Sequence, residues 1–295
     1  MVNAIAELPK LFMVQLPPDR YIQVNGIKTR YWSLGTQGSV VIFIHGISSA
    51  VETWALNIEA LAQHHRVYAL DLVGSGRSDK PLGVYSLVAL AEFAHAFADA
   101  LTLDRFSLIG NSLGGGTALQ FALSYPQRVE KLVLVNSLGL GQAVSWGLRL
   151  ANLPFVDRFY KPTRSSTAFT LRQSVDDPSL ITDEWIDTFY ELLSLPGAPE
   201  AAIAQIRASV DWFGVRPEVY QPLVNGLPTL TTPTLIVWGK QDHILPVSHT
   251  QVAIQHLPKA QVQIFDRCGH WSHFEQAAAF NTQVARFLAR SSSSN

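Results

Sequence analysis

The sequence predicts an α/β fold, a mostly parallel sheet with helices on both faces. Three observations lead there. Short continuous apolar runs recur along the chain, helical patterns separate them, and 47% of the 295 residues are apolar against 15% charged. Continuous apolar runs belong to strands buried on both faces, and strand–helix alternation builds βαβ units. The composition supports a sizeable core and excludes disorder over most of the chain.

The first element departs from the parallel pattern. Residues 21–34 read as a hairpin, in which 21–24 and 27–32 flank Asn25-Gly26, a strong two-residue turn signal. Buried-strand runs follow at 40–44, 67–70, 106–109, 132–135, 235–238 and 262–265. Helical patterns fall at 54–64, 87–101, 112–125, 248–256 and 273–290. From 139 to 230 no buried-strand run occurs; prolines punctuate a helical pattern rich in aromatics, among them Trp146, Phe155, Phe159, Phe169, Trp185, Phe189 and Phe213. The expected organisation is a first part of the α/β core over 1–138, a helical insertion over 139–230 and a second part of the core over 231–295, all one structural unit. The serine-rich tail at 291–294 reads as a disordered end.

Charge and cysteine content narrow the function classes. Lys and Arg number 22 against 23 Asp and Glu, so there is no basic excess for nucleic acid. The single cysteine, Cys268, builds no disulfide framework and reads as a small buried residue rather than a nucleophile. No run reaches the roughly 18 apolar residues of a membrane span, and residues 1–16 lack the basic start and cleavage site of a signal peptide. A cytoplasmic protein is the expectation. Leu8, Leu11, Phe12 and Leu16 form an apolar stripe that is a candidate for weak membrane-surface contact; an arm packed on the domain is the preferred reading.

The chemistry is carried by Gly110-Asn111-Ser112-Leu113-Gly114, a G-x-S-x-G pattern between the run at 106–109 and the helical run that follows. A serine at such a strand-to-helix turn is pushed into strained backbone, and its hydroxyl emerges at the carboxyl edge of the sheet. A free hydroxyl is a weak nucleophile at neutral pH and needs a base held by an acid. In this arrangement the acid and then the histidine follow the serine along the chain. His270, in Cys268-Gly269-His270-Trp271 after the run at 262–265, is the base. Asp242, in Gly239-Lys240-Gln241-Asp242-His243 after the run at 235–238, is the acid, with Asp266 and Asp211 as weaker rivals. A developing oxyanion needs two donors, assigned to the backbone amides of Leu113 and of Ile47 in His45-Gly46-Ile47-Ser48-Ser49. Gly46 is expected to permit an unusual backbone there and His45 to brace the loop. His45, Gly46, Asn111, Trp271 and Trp146 complete the candidate substrate-binding set, and no metal ligand set is expected.

These residues, together with Asp71-Leu72-Val73-Gly74-Ser75-Gly76-Arg77-Ser78-Asp79, resemble the α/β-hydrolase superfamily over nearly the whole chain. The resemblance implies a mostly parallel sheet of about eight strands, a helical lid insertion and no cofactor. Gly110-Asn111-Ser112-Leu113-Gly114-Gly115 and Cys268-Gly269-His270-Trp271 resemble the meta-cleavage-product hydrolases, which cut carbon–carbon bonds in vinylogous diketones. The serine motif is also similar to that of pheophytinase-like hydrolases of large apolar esters. The meta-cleavage enzymes hold a substrate carboxylate with a lid arginine; residues 187–193 contain none, which leaves Arg172 and Arg207 as candidates.

Three functions follow as expectations. The first is a serine esterase that cleaves an apolar carboxylic ester through an acyl-enzyme. The second is a carbon–carbon hydrolase with the same triad, which makes the small apolar partner a ketone. The third is a slow-turnover ligand receptor that keeps the triad. The oligomeric state is open.

Overall fold

Asn25 and Gly26 take φ angles of 50° and 81°, the left-handed geometry of a turn whose twist matches the strands it joins. They close a hairpin of β1 (Arg20–Val24) and β2 (Ile27–Leu34). The computed structural model describes residues 16–83, 85–156 and 160–290. Every expected buried run is a strand: β3 (Val40–Ile44), β4 (Arg66–Leu70), β5 (Phe106–Asn111) and β6 (Val129–Val135). Two short strands, β7 (Val210–Asp211) and β8 (Gly214–Val215), precede β9 (Thr234–Gly239) and β10 (Gln261–Phe265).

The main sheet has eight strands in the order β1-β2-β4-β3-β5-β6-β9-β10. The β1–β2 and β2–β4 pairs are antiparallel and the rest are parallel. Successive residues of a strand point to opposite faces, and both faces are buried in β3, β5, β6 and β9; β10, expected to be buried, is an edge strand and half-exposed, with Ile264 at 40%. Ile42, Ile44, Leu108, Leu132, Leu134 and Trp238 join one core; Val41, Phe43, Ile109, Val133, Val135 and Val237 join the other. That is why these runs carry no polar alternation.

Helices supply the covers. α1 (Ile58–Ala62) lies on the second face; α2 (Leu87–Ala100) and α3 (Leu113–Ser124) bury Leu90, Phe97, Leu119 and Phe121 on the first. Between β6 and β9 come α4 (Trp146–Arg149), α5 (Arg164–Gln173), α6 (Asp183–Leu193), α7 (Ala198–Ser209) and α8 (Pro217–Gly226). After β9 stand α9 (His249–His256), α10 (Ser272–Glu275) and α11 (Ala277–Ala289).

The structure corrects several expectations. Residues 54–64 are not one helix: a 3-10 turn at Val51–Trp54 precedes α1. At the junction the Asn57 side chain is turned into the core, where it donates to His273 O and Asn281 Oδ1. Residues 273–290 break at Gln276, whose φ of −116° and ψ of 40° leave the helix. The stretch from 139 to 230 also holds the β7–β8 ribbon, with Val210 and Val215 fully buried. Leu16 packs on the core, as an arm would; Leu8, Leu11, Phe12, Phe159 and the tail at 291–294 lie outside the described residues. No helix among the described residues is long and apolar enough to cross a membrane.

Candidate catalytic site

Ser112 sits between β5 and α3 with φ 56° and ψ −119°, a strained conformation for a residue with a side chain. The strain is held by backbone bonds: Ser112 N–H donates to Val135 O at 3.0 Å, and Ser112 O accepts from Leu138 N–H at 2.9 Å and Gly116 N–H at 3.1 Å. The glycines are there for space. A Cβ on Gly114 would stand 2.2 Å from Ile44 O, and one on Gly110 would stand 2.2 Å from Gly114 O. Only glycine lets α3 start this close to β3, which presents Ser112 at the carboxyl edge of the sheet.

Asp242 follows β9, and His270 follows β10. Their side chains meet: His270 Nδ1 lies 2.8 Å from Asp242 Oδ2. Asp242 only accepts, so Nδ1 carries the proton of that bond and Nε2 is left for other chemistry. Both aspartate oxygens are pinned. Asn136 Nδ2 donates to Oδ2 at 2.7 Å, and the amides of Ile244 and Leu245 donate to Oδ1 at 2.8 and 2.9 Å. The rivals are elsewhere: Asp266 is exposed and paired with Lys240 at 2.7 Å, and Asp211 accepts from the Phe213 amide in the β7–β8 ribbon. Ser112 Oγ makes no hydrogen bond to His270 among the described residues. In unliganded sites such contacts are commonly loose and tighten with substrate.

The loop after β3 faces Ser112. A Cβ on Gly46 would lie 3.0 Å from Ser112 Cβ and 3.4 Å from Asn111 Oδ1. The glycine therefore serves close approach, not unusual backbone; the positive φ in this loop, 55°, belongs to Ser48. Ile47, Ser48 and Ser112 are half-buried amid buried neighbours. Neither the Ile47 nor the Leu113 amide donates to a described residue.

Two predicted substrate contacts prove structural. His45 is fully buried; its Nε2 accepts from Leu72 N–H at 3.1 Å, so Nδ1 donates to Gly46 O at 2.7 Å. Burial lowers it to about 4, and this neutral ring braces the loop as expected but has no atom left for substrate. Asn111 is 2% exposed and spends its amide on Val135 O and His270 O, at 3.1 and 3.2 Å. It ties the Ser112 turn to the His270 loop. Trp271 is buried against Phe189 and Phe274. Trp146 is 66% exposed with Arg149 over its ring at 4.5 Å; the surface, not the Ser112 site, is where this side chain stands. Phe155, Phe169 and Phe213 are likewise exposed, whereas Trp185 and Phe189 are buried.

Sequence reasoning missed two residues. Asn136, just past β6, takes φ 44°, donates to Asp242 and accepts from Ser272 Oγ at 2.6 Å. A polar residue closing an apolar run was the available signal. Glu275 gave none. Its carboxylate accepts from Gly269 N–H at 2.6 Å and from Asp176 and Asp177 N–H, each at 2.8 Å. Trp271 N–H adds a bond to Ser174 O, so segment 174–177 and the His270 loop move as one. Cys268 is fully buried beside them; burial, and then Glu275, push its thiol up and keep it from acting as a nucleophile.

A family model for the α/β hydrolase fold matches residues 39–277. The chain belongs to the α/β-hydrolase family. Among curated relatives, the 2-hydroxy-6-oxo-2,4-heptadienoate hydrolase of Pseudomonas putida is 30% identical over 92% of this chain and 96% of its own length. A 2-hydroxymuconate semialdehyde hydrolase from a Pseudomonas species is 31% identical over 92% of this chain and 93% of its own. The structure of a meta-cleavage product hydrolase from Pseudomonas fluorescens matches with a TM-score of 0.79 at 32% identity, covering 91% of this chain and 97% of that one.

Proposed function

We propose that this α/β hydrolase is a serine hydrolase that opens a carbonyl substrate through an acyl-enzyme at Ser112. The observation that carries the reading is the 2.8 Å His270–Asp242 bond, at the sheet edge where Ser112 is held in strained backbone. His270 Nε2 takes the hydroxyl proton as Ser112 Oγ attacks the carbonyl carbon. The oxyanion rests on the Ile47 and Leu113 amides. His270 returns the proton to the leaving group, and a water activated by the same nitrogen releases the acid. The helices between β6 and β9 act as a lid over this edge, with Phe189 and Trp271 as an apolar wall.

Ester cleavage is the first reading. In support, of the two arginines named as carboxylate holders, Arg172 is exposed and Arg207 donates to the carbonyls of Ala151 and Leu153. Carbon–carbon cleavage is the second, favoured by the names of the relatives above. A panel of p-nitrophenyl esters against a vinylogous diketone acid separates them. Ser112→Ala should lose more than roughly a thousandfold in rate on whichever is turned over; a loss below about tenfold would sink the assignment of Ser112.

A further inference from the structure

Ser48 and Ser49, directly after Ile47, line a cavity of ≈ 10 Å³. Ser75 and Gln205 line it as well, and Phe189 closes an apolar side. Ser112 and His270 are not among the residues that line the cavity, which neighbours them through two intermediates. Its serines follow Gly46, which abuts Ser112, and Phe189 packs on Trp271 at 5.7 Å, next to His270.

Gln205 is fully buried on α7. Its Nε2 donates to Ser75 Oγ at 3.0 Å and reaches Val73 O at 3.4 Å. A backbone carbonyl only accepts, so the Val73 contact places the NH2 end there and turns Oε1 away from it. Oε1 has no partner among the described residues. A buried acceptor left unpaired is costly, and a group that donates to it gains accordingly. The lining holds no Lys, Arg or His, so no cationic side chain there offsets the charge of a carboxylate. The space suits about one water-sized group.

We propose that this cavity is a substrate subsite for one neutral hydrogen-bond donor, a hydroxyl or an amide N–H, on the acyl part of the substrate. The proposal rests on the acyl-enzyme reading of Ser112 and adds what that reading lacks, a polar requirement away from the scissile carbonyl. It also separates this site from one built to hold an anion.

The test compares p-nitrophenyl esters of plain, ω-hydroxy and ω-carboxy acids, from butyric to octanoic length, on wild type and Gln205→Met. The expected kcat/KM for the best ω-hydroxy ester is about tenfold above its plain counterpart, with the ω-carboxy ester below both. In Gln205→Met the hydroxy preference should fall to about one. A wild-type ratio near one at every length overturns the proposal, and so does a preference that survives in the variant. The wild-type ratio stands even if the variant fails to fold. Absence of all ester turnover would be a failure of the ester reading instead. The subsite is then read from protection of Ser112 against a fluorophosphonate label by ω-hydroxyhexanamide and hexanamide; equal protection overturns it.

Discussion

Acidification should unfold this protein through histidines that take no part in the proposed chemistry. Burial lowers His45 to about 4, His249 to about 4 and His273 to about 3, from the ordinary 6.5. The fold therefore keeps three neutral rings, one bracing the loop after β3, one at the start of α9 and one tilted by 37° against Trp54 at 4.3 Å. Below pH 6.5 the unfolded chain binds protons that the fold refuses. Each contribution is full above about 6.5 and is lost as pH falls toward the folded value. At pH 5 each ring has given up roughly 2 kcal/mol, and the three together roughly 6, of a total stability of about 5–15 kcal/mol. Near pH 5 the three supply a slope near three protons, or about 4 kcal/mol per pH unit. Glu52 and Asp71, raised by burial, pull the other way, so the comparison is made by subtraction. Urea denaturation across pH 4–8 on wild type, His249→Leu and His273→Leu reads it out. Each variant should show a slope lower by about one proton. A difference under about a third of a proton would mean that these rings titrate normally, and the argument from burial would fail.

Other perturbations test the site and its frame. Asn136→Gly keeps the positive φ while deleting the amide that donates to Asp242; the lost bond to a charged group predicts a fall in kcat of about ten- to a hundredfold, read by steady-state kinetics beside a circular-dichroism check of the fold. Gly46→Ala drives a methyl against Ser112 Cβ, 3.0 Å away, and should cut kcat by at least about tenfold with unchanged fluorescence of the folded state. Arg30→Met strands the carboxylates of Asp71 and Glu52, now paired with Arg30 at 3.3 and 2.8 Å. It should cost about 3–5 kcal/mol by urea titration at pH 8, and less as pH falls, because burial raises both acids and eases their protonation.

The strands and the Ser112 turn were legible because local sequence carries them. Both faces of β3, β5, β6 and β9 are buried, so each carries a run of mostly apolar residues, and the turn needs its glycines within a few residues. Asp242 and His270 were found by chain order and by their places after β9 and β10. What stayed hidden depends on distant partners. Asn136 meets Asp242 across 106 residues, and Glu275 meets Asp176 across 99; no local pattern marks such pairs. His45 and Asn111 were placed in the right neighbourhood with the wrong duty, because residue type does not tell which hydrogen bonds packing has already taken. Trp146 shows the limit of composition: an aromatic in this stretch is as readily a surface residue as a wall of the site.

The Glu275 contact has a consequence for how such a molecule changes over generations. Its carboxylate touches the 174–177 segment through main-chain N–H groups alone, and Gly269 approaches Val175 there by its backbone, with room for no Cβ. These bonds between the His270 loop and segment 174–177 thus constrain the path of the chain rather than the identity of its side chains, while Phe189 on Trp271 and Trp185 on Phe274 add contacts that do depend on side chains. The outward-facing positions of those helices are free to be rewritten while the histidine below keeps its place. The fitting is standard at the seam and open to redesign on its outer face.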